Sequence, residues 1–463
     1  MPAKPVETAE MAIKGGLVVN SQKMWRADIY IKDGLIDSLE QGGSQRIADR
    51  VIDASGKFVL PGIIDAHLHP VYADRIDTLS KAAPLGGITT LIPYIGAVKA
   101  WGRSGTLHDA VKDFIAEGEK SSMVDFGIHC SLTADDMDTI DGMIPAAVEM
   151  GVNSFKVFMA YARRGMKLED EHILKIMEVI VKNKALLAVH AENGSIIDYL
   201  EDKCTAWGNL EPQFFPPSHP NISEAEAIFR ILALSDIGRC PLYLAHVSAQ
   251  ESLDVIRLYK EWGKSDFFTE TCTHYLTLTD DELIKRGSLA KMSPPLRKKE
   301  DVGALWKAVN EGLVDVISSD AAGHTVADKE PVWDSIFKTP NGVPGLETMF
   351  TVAYDEGVNR DRISLSRLVA LTSENPAKIF GLYPRKGILQ EGSDADVLVF
   401  DPAAILTVSA KNTPLKVGYS LYEGRRCLGS PSLVLQRGKV VCEEGQVKAE
   451  PGQGMYMPAA FNG

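Results

Sequence analysis

The stretch "GIIDAHLHP" (62–70) sets His67 and His69 two apart at the end of an apolar run. On a strand, residues two apart project from one side, so both imidazoles can converge on a single cation. Chemically capable residues mark four more apolar runs. Lys156 lies inside "SFKVFMAY", His190 ends "ALLAVH", His246 ends "PLYLAH", and Asp320 follows "VDVISS". A lone strand-end histidine is ordinarily a hydrogen-bonded core residue, and a lone aspartate there commonly caps a helix. Six such groups at the same end of separate strands exceed what packing requires. Lys156 is the hardest to house, because a buried, unpaired ammonium is costly. It must lose its charge, meet an anion or be modified.

The set fits a centre of two divalent ions, which need a bridging anion to offset their repulsion. No Asp or Glu lies in the run around Lys156, but a neutral lysine amine can add CO2 to give a carbamate, a carboxylate head on a long stem. Burial among Phe155, Val157 and Phe158 would depress the amine pKa and favour that reactive form. His67, His69 and Asp320 would then complete one metal, and His190 and His246 the other. The ions would lower the pKa of a shared water toward ~7, giving hydroxide at neutral pH. Imidazole and carboxylate ligands favour zinc, with iron, manganese and cobalt compatible. Among the other histidines, His108, His129, His172, His219 and His274 lack this arrangement, while His324, four residues past Asp320, is within reach of the same mouth.

These groups need elements to position them. Between about 59 and 384, eight apolar runs ("VLPGIIDAH", "TTLIPY", "DFGIHC", "SFKVFMAY", "ALLAVH", "PLYLAH", "DFFTETC", "VDVISSD") alternate with helical patterns. The clearest helices are expected over 169–183, 223–236 and 250–263. Several of the strands are continuously apolar, as parallel strands buried on both faces should be. The expected fold is α/β: a (β/α)8 barrel over 59–384, whose strand ends converge at one mouth. A doubly wound sheet is the alternative, but no Gly-rich dinucleotide fingerprint follows the first strand. Residues 1–58 and 385–463 both read as short strands and hairpins, so a smaller β-sandwich domain is expected from both chain ends, with a C-terminal tail.

At 463 residues the chain is long enough for such a division. Its formal charge of −13 argues against nucleic acid or an anionic membrane as partner. No run approaches the ~18 apolar residues of a membrane span, and "MPAKPVETAEMAIKGG" lacks the apolar core of a secretory signal. The six cysteines form no close pairs, which suits free thiols in a reducing cytoplasm.

Taken in order, "DAHLH", "FKVFMAY", "VHAENG", "LAHVS", "ETCTHYL", "MSPPLR", "NGVPGLE", "GSDADVLVFDP" and "VLQRGKVV" resemble the amidohydrolase superfamily, and within it the dihydropyrimidinases and bacterial hydantoinases. The resemblance spans essentially the whole chain. It implies hydrolysis of a cyclic amide or imide to its N-carbamoyl or amino-acid-like product, in a homotetramer or homodimer. Lys156 resembles the carboxylated bridging lysine. Asp320 resembles the group that takes a proton from the bridging hydroxide and gives it to the leaving nitrogen. Tyr161 resembles the phenol that donates to the developing oxyanion. Ser293 and Asn341 resemble residues whose backbone groups pair with the ring's amide edge. Three mouth loops depart from the hydantoinase pattern: "SDAAGHT" puts Ala321 where a histidine is usual, "MAYARR" replaces "MAYK", and "PVYADRID" follows His69. Allantoinase shares the metal set and is the enzymatic rival. Pro70 and Val71 stand where a dihydroorotase would carry an arginine, and a non-catalytic scaffold relative would have lost ligands that are all present here.

Overall fold

The computed structural model describes residues 8–41, 46–263, 266–330 and 334–461. Its centre is a curled layer of parallel strands. Seven of them run Tyr94–Ile95, His129–Ser131, Ser154–Phe158, Leu186–His190, Leu242–Leu244, Phe267–Cys272 and Val316–Ser318 in spatial order. A three-stranded parallel piece, Asp125–Phe126, Ile88–Leu91 and Ile63–Asp65, continues the same chain runs. The first run meets the last through a parallel bridge between Leu68 and Ala321, where the His69 N–H donates to the Ala321 carbonyl at 2.9 Å. Each of the eight apolar runs supplies a strand.

Every residue of Ser154–Phe158 and Leu186–His190 is buried, which the sequence signals by leaving no polar alternation. The pleat sorts the side chains. Phe155, Val157, Leu187 and Val189 join the apolar layer beneath the helices, while Ala188, Tyr243 and Ile64 pack in the interior of the curl. Lys156 is in register with Ala188, and Ala188 with Tyr243, so Lys156 shares that interior row. His190, two residues beyond Ala188, points the same way at the strand's C-terminal end.

The helices Asp170–Lys182, Asn221–Gly238 and Gln250–Trp262 cover the outside. The first buries Ile173, Ile176, Met177 and Ile180, spaced for one helical face. Gln250–Trp262 stops at Gly263, whose φ of 62° permits the left-handed cap.

Strands from both chain ends form one sheet. Phe58–Pro61 pairs in parallel with Leu17–Val19 and antiparallel with Val397–Thr407, which pairs in turn with Arg426–Gln436. A four-stranded sheet, Leu35–Glu40, Asp28–Lys32, Ala9–Lys14 and Ala48–Asp53, shares a core with it through Ile13, Val18, Ile29, Val59, Val399 and Leu435. The apolar run "VLPGIIDAH", which reads as one strand in sequence, is therefore two. Phe58–Pro61 belongs to the mixed sheet and Ile63–Asp65 to the parallel one. The break falls at Gly62, where a Cβ would stand 2.2 Å from Thr89 Oγ1; only glycine lets the chain pass between the two sheets there.

Candidate active site

Six of the residues singled out by sequence meet at the C-terminal end of the parallel strands. His67 Nε2 and His69 Nε2 lie 3.2 and 3.3 Å from Asp320 Oδ1. Lys156 Nζ is 2.8 Å from His67 Nε2. His190 Nδ1 and His246 Nε2 face each other at 3.0 Å. Lys156 is only 1% exposed, over the Tyr94 ring with Nζ 4.2 Å from its centroid. Burial pulls the amine down to about 8, against the pull of Asp320 and Glu270. Burial also raises the Asp320 carboxyl, but the charge of His67 and the hydrogen bond from His69 outweigh it and hold that group well below the usual carboxylate range. His69, buried, is pushed down to about 4. Burial lowers His69 and His246, so these two imidazoles are neutral and the Asp320 carboxylate is ionised near pH 7, the forms that ligate metal.

Buried carboxylates orient these ligands. Glu270, inside "FFTETC", accepts from His67 Nδ1 at 2.7 Å, from the Tyr243 hydroxyl at 2.6 Å and from the His246 N–H at 2.9 Å. Glu192 accepts from His190 Nε2 at 2.9 Å and from Ser293 Oγ at 2.6 Å. Each contact fixes a proton on the outer nitrogen and turns the bare one inward. Asp65 takes the Ser319 hydroxyl and N–H and sits behind His67. Neither Glu270 nor Glu192 emerges from the sequence reading. A carboxylate inside an apolar strand, like Lys156, was the available signal for Glu270.

Three site residues hold left-handed backbone without being glycine: Tyr161 (φ 69°), His246 (φ 41°) and Asp320 (φ 45°). Such positions cost of order 1–3 kcal/mol each and persist where the surroundings over-determine them.

Tyr161 packs its ring 4.7 Å from that of His190, and its hydroxyl donates to the Ser293 carbonyl at a long 3.5 Å. Asn341 Oδ1 is buried without a partner, as are Glu192 Oε1 and His69 Nδ1. All three sequence-derived substrate residues, Tyr161, Ser293 and Asn341, line a cavity of about 60 Å³ together with His69, Lys156, His190, His246 and Asp320. At ~10–15 Å³ per water-sized occupant, this space admits several. It shares Tyr161, Ser293, Asn341, Tyr72, Trp101 and Arg164 with an outer vestibule of about 500 Å³.

The remaining histidines divide. His274, set aside by sequence, lines the inner cavity with Nε2 unpartnered; it opens the short helix Thr273–Thr277 directly after a parallel strand. His324 and His219 line the vestibule. His129 packs under Tyr94 and bonds the Ala66 carbonyl and Ser154. His108 is exposed on a helix.

The donor set suits metal. His67, His69 and Asp320 present ligand atoms that all lie within 4.8 Å of one another, and the His190–His246 pair stands beside Lys156, whose charge is felt at His246. The pattern of the amidohydrolase family matches residues 58–441. The chain belongs to that family. A D-hydantoinase of Ralstonia pickettii is 37% identical over 460 residues, 97% of this chain and 98% of the relative. An L-hydantoinase of Paenarthrobacter aurescens is 35% identical, covering 97% and 98%. The crystal structure of a dihydropyrimidinase from Brevibacillus agri NCHU1002 superposes with a TM-score of 0.92 at 31% identity, covering 97% of this chain and 99% of that one. This amidohydrolase therefore aligns over 97% of its length with relatives named D-hydantoinase and L-hydantoinase.

Proposed function

We propose that this amidohydrolase opens a cyclic amide or imide ring, a dihydropyrimidine or a 5-substituted hydantoin, at a centre of two divalent ions. The observation that carries the reading is Lys156 Nζ, buried and 2.8 Å from His67 Nε2, in a family member whose relatives are hydantoinases and dihydropyrimidinases. His67, His69 and Asp320 would hold one ion, His190 and His246 the other, with Lys156 as an N-carboxylated bridge. Zinc suits these ligands. Bound there, the ions supply Lewis acidity and an acidified water.

The protein's own groups do the rest. Asp320, ionised at neutral pH, accepts a proton on its carboxylate from the attacking water and returns it to the ring nitrogen, which leaves only once protonated. Burial and the charge of Glu192 raise the Tyr161 phenol, so it stays protonated and donates to the carbonyl oxygen as negative charge builds there. Its loose tie to the Ser293 carbonyl leaves it free to turn. Ser293 and Asn341 hold the amide edge of the ring, and the unpartnered Asn341 Oδ1 supports a polar occupant.

The domain division follows the same reading. It takes a (β/α)8 barrel over about 59–384, with the Leu68–Ala321 bridge as its seam, and a β-sandwich from the two chain ends with a C-terminal tail; the strand Phe58–Pro61 goes with the sandwich sheet. Among the described residues no helix is long and apolar enough to cross a membrane. We place the enzyme in the cytoplasm as a homotetramer or homodimer; the exposed Tyr199 and Trp207 are apolar surface that such an interface would cover.

The test is a substrate panel. Metal-loaded protein is incubated with dihydrouracil, hydantoin, 5-substituted hydantoins, allantoin and cyclic imides, and ring opening is followed by mass spectrometry. N-carbamoyl products from dihydrouracil or hydantoins are expected. Opening of allantoin alone would reassign the substrate, and inertness toward every ring would overturn the reading.

A further inference from the structure

Above the metal ligands, the vestibule wall carries two adjacent arginines with different fates. Arg163 is held by three carboxylates, Asp198 at 3.5 Å, Glu201 at 3.2 Å and Asp202 at 2.6 Å. Arg164 enters no ion pair among the described residues; its guanidinium meets only the Tyr72 hydroxyl and the face of Tyr161, 5.5 Å from the ring centroid. The turn Ala162–Arg164, closed by its N–H to the Tyr161 carbonyl at 3.0 Å and by Gly165 at φ 67°, fixes it there. Arg164 lines both the inner cavity and the vestibule, whereas Lys156 lines the inner cavity alone.

The surroundings are positive as well. Lys291, 3% exposed, lines the same vestibule and gives its protons to the Thr339 and Phe337 carbonyls at 2.6 and 3.4 Å. Burial, with Arg164's charge adding to it, lowers its amine to about 8 despite the pull of Glu201. His324 is pushed down to about 4 by burial, Lys329 and, further off, Arg164. The two vestibule carboxylates, Asp198 and Glu201, are already engaged by Arg163. An anion entering beside Arg164 would thus find a fixed, unpaired guanidinium and relieve repulsion along the wall.

We infer that the vestibule is a subsite for a ring substituent bearing a carboxylate, with Arg164 as its counter-ion, so that the favoured substrates are cyclic amides with an anionic side chain. This rests on the cyclic-amide reading above and adds to it the chemical class of the substituent. Arg164 lies on the Tyr161 turn, one step out from the ring-opening centre, and the vestibule's volume of about 500 Å³ accepts a side chain of several heavy atoms.

The experiment compares 5-(2-carboxyethyl)hydantoin with its neutral isostere 5-(2-carbamoylethyl)hydantoin, each as the free ring, on the metal-loaded enzyme and on Arg164→Gln and Arg164→Lys. Wild type is expected to prefer the carboxylate by at least tenfold in kcat/KM, expressed in KM. Arg164→Gln should bring that ratio close to one, and Arg164→Lys should leave it between. Thermal melts confirm that each variant folds. A wild-type ratio near one, or a preference that survives Arg164→Gln, overturns the anionic subsite while leaving ring hydrolysis standing. Failure to open either ring, with hydantoin and dihydrouracil also untouched, overturns both.

Discussion

In the proposed centre, the single buried amine of Lys156 would join two groups of candidate ligands. Lys156→Ala should lose bound metal and turnover together, read by elemental analysis beside the ring-opening assay. Short carboxylic acids such as acetate or propionate should restore part of both by standing in for the lost carboxylate; full activity without them would contradict a carbamate bridge. Asp320→Asn keeps shape and removes the proton acceptor, so kcat should fall by ~10²–10⁴ with the melting transition kept. The six residues that meet at the strand ends were legible in sequence because each stands at the end of, or inside, an otherwise apolar run. The groups that aim them were not. Glu270 meets His67 across 203 residues of chain, and no local pattern announces a partner so distant. Glu270 and Glu192 orient His67 and His190, while His69 Nδ1 is left without a partner.

Elements fix where those side chains can point. The eight runs that build the parallel strands, and their covering helices, were legible because burial on both faces writes continuous apolar runs, and amphipathic helices write a different period. Sequence failed where one apolar run serves two sheets, because the break at Gly62 reflects the approach of Thr89 and not a change in local preference. A short turn carries a further consequence. Glu347, in Leu346–Thr348, has a buried Oε2 without a partner, and burial raises its carboxyl to about 7, with Asp74 adding to the rise. The folded protein therefore holds this proton over a range where the unfolded chain, with an ordinary glutamate value of 4.5, has released it. Stability from this group is present below pH 4.5 and is lost as pH rises toward about 7. Glu347→Gln should raise the melting temperature relative to wild type at pH 8 and change it little at pH 4. An equal shift at both would show that the carboxyl titrates normally.

Across the molecule, the parallel layer and the sheet built from the chain ends are tied by buried charge. Lys386, 1% exposed, bonds Asp125 in the parallel strand Asp125–Phe126 and Asp396 at 2.7 Å, with Asp394 at 2.9 Å; Arg437 also pairs with Asp125. Burial opposes the Lys386 charge, but the three carboxylates outweigh it and raise its pKa. Lys386→Met would leave carboxylates buried without their cation and should cost ~3–5 kcal/mol, read as a lower denaturation midpoint; a change below 1 kcal/mol, roughly the worth of an exposed pair, would mean the joint is not structural. That both ends share a sheet was foreseeable from their similar hairpins, whereas the Asp125–Lys386 joint was not, since no local pattern links residues 261 apart in the chain. The most direct measurement is anomalous diffraction at the zinc edge from crystals grown with zinc and bicarbonate. Two scatterers should appear, one against His67, His69 and Asp320 and one against His190 and His246, with density for a CO2 adduct on Lys156 Nζ reaching both. An unmodified amine at Lys156, with no scatterer in either group, would contradict the two-ion centre.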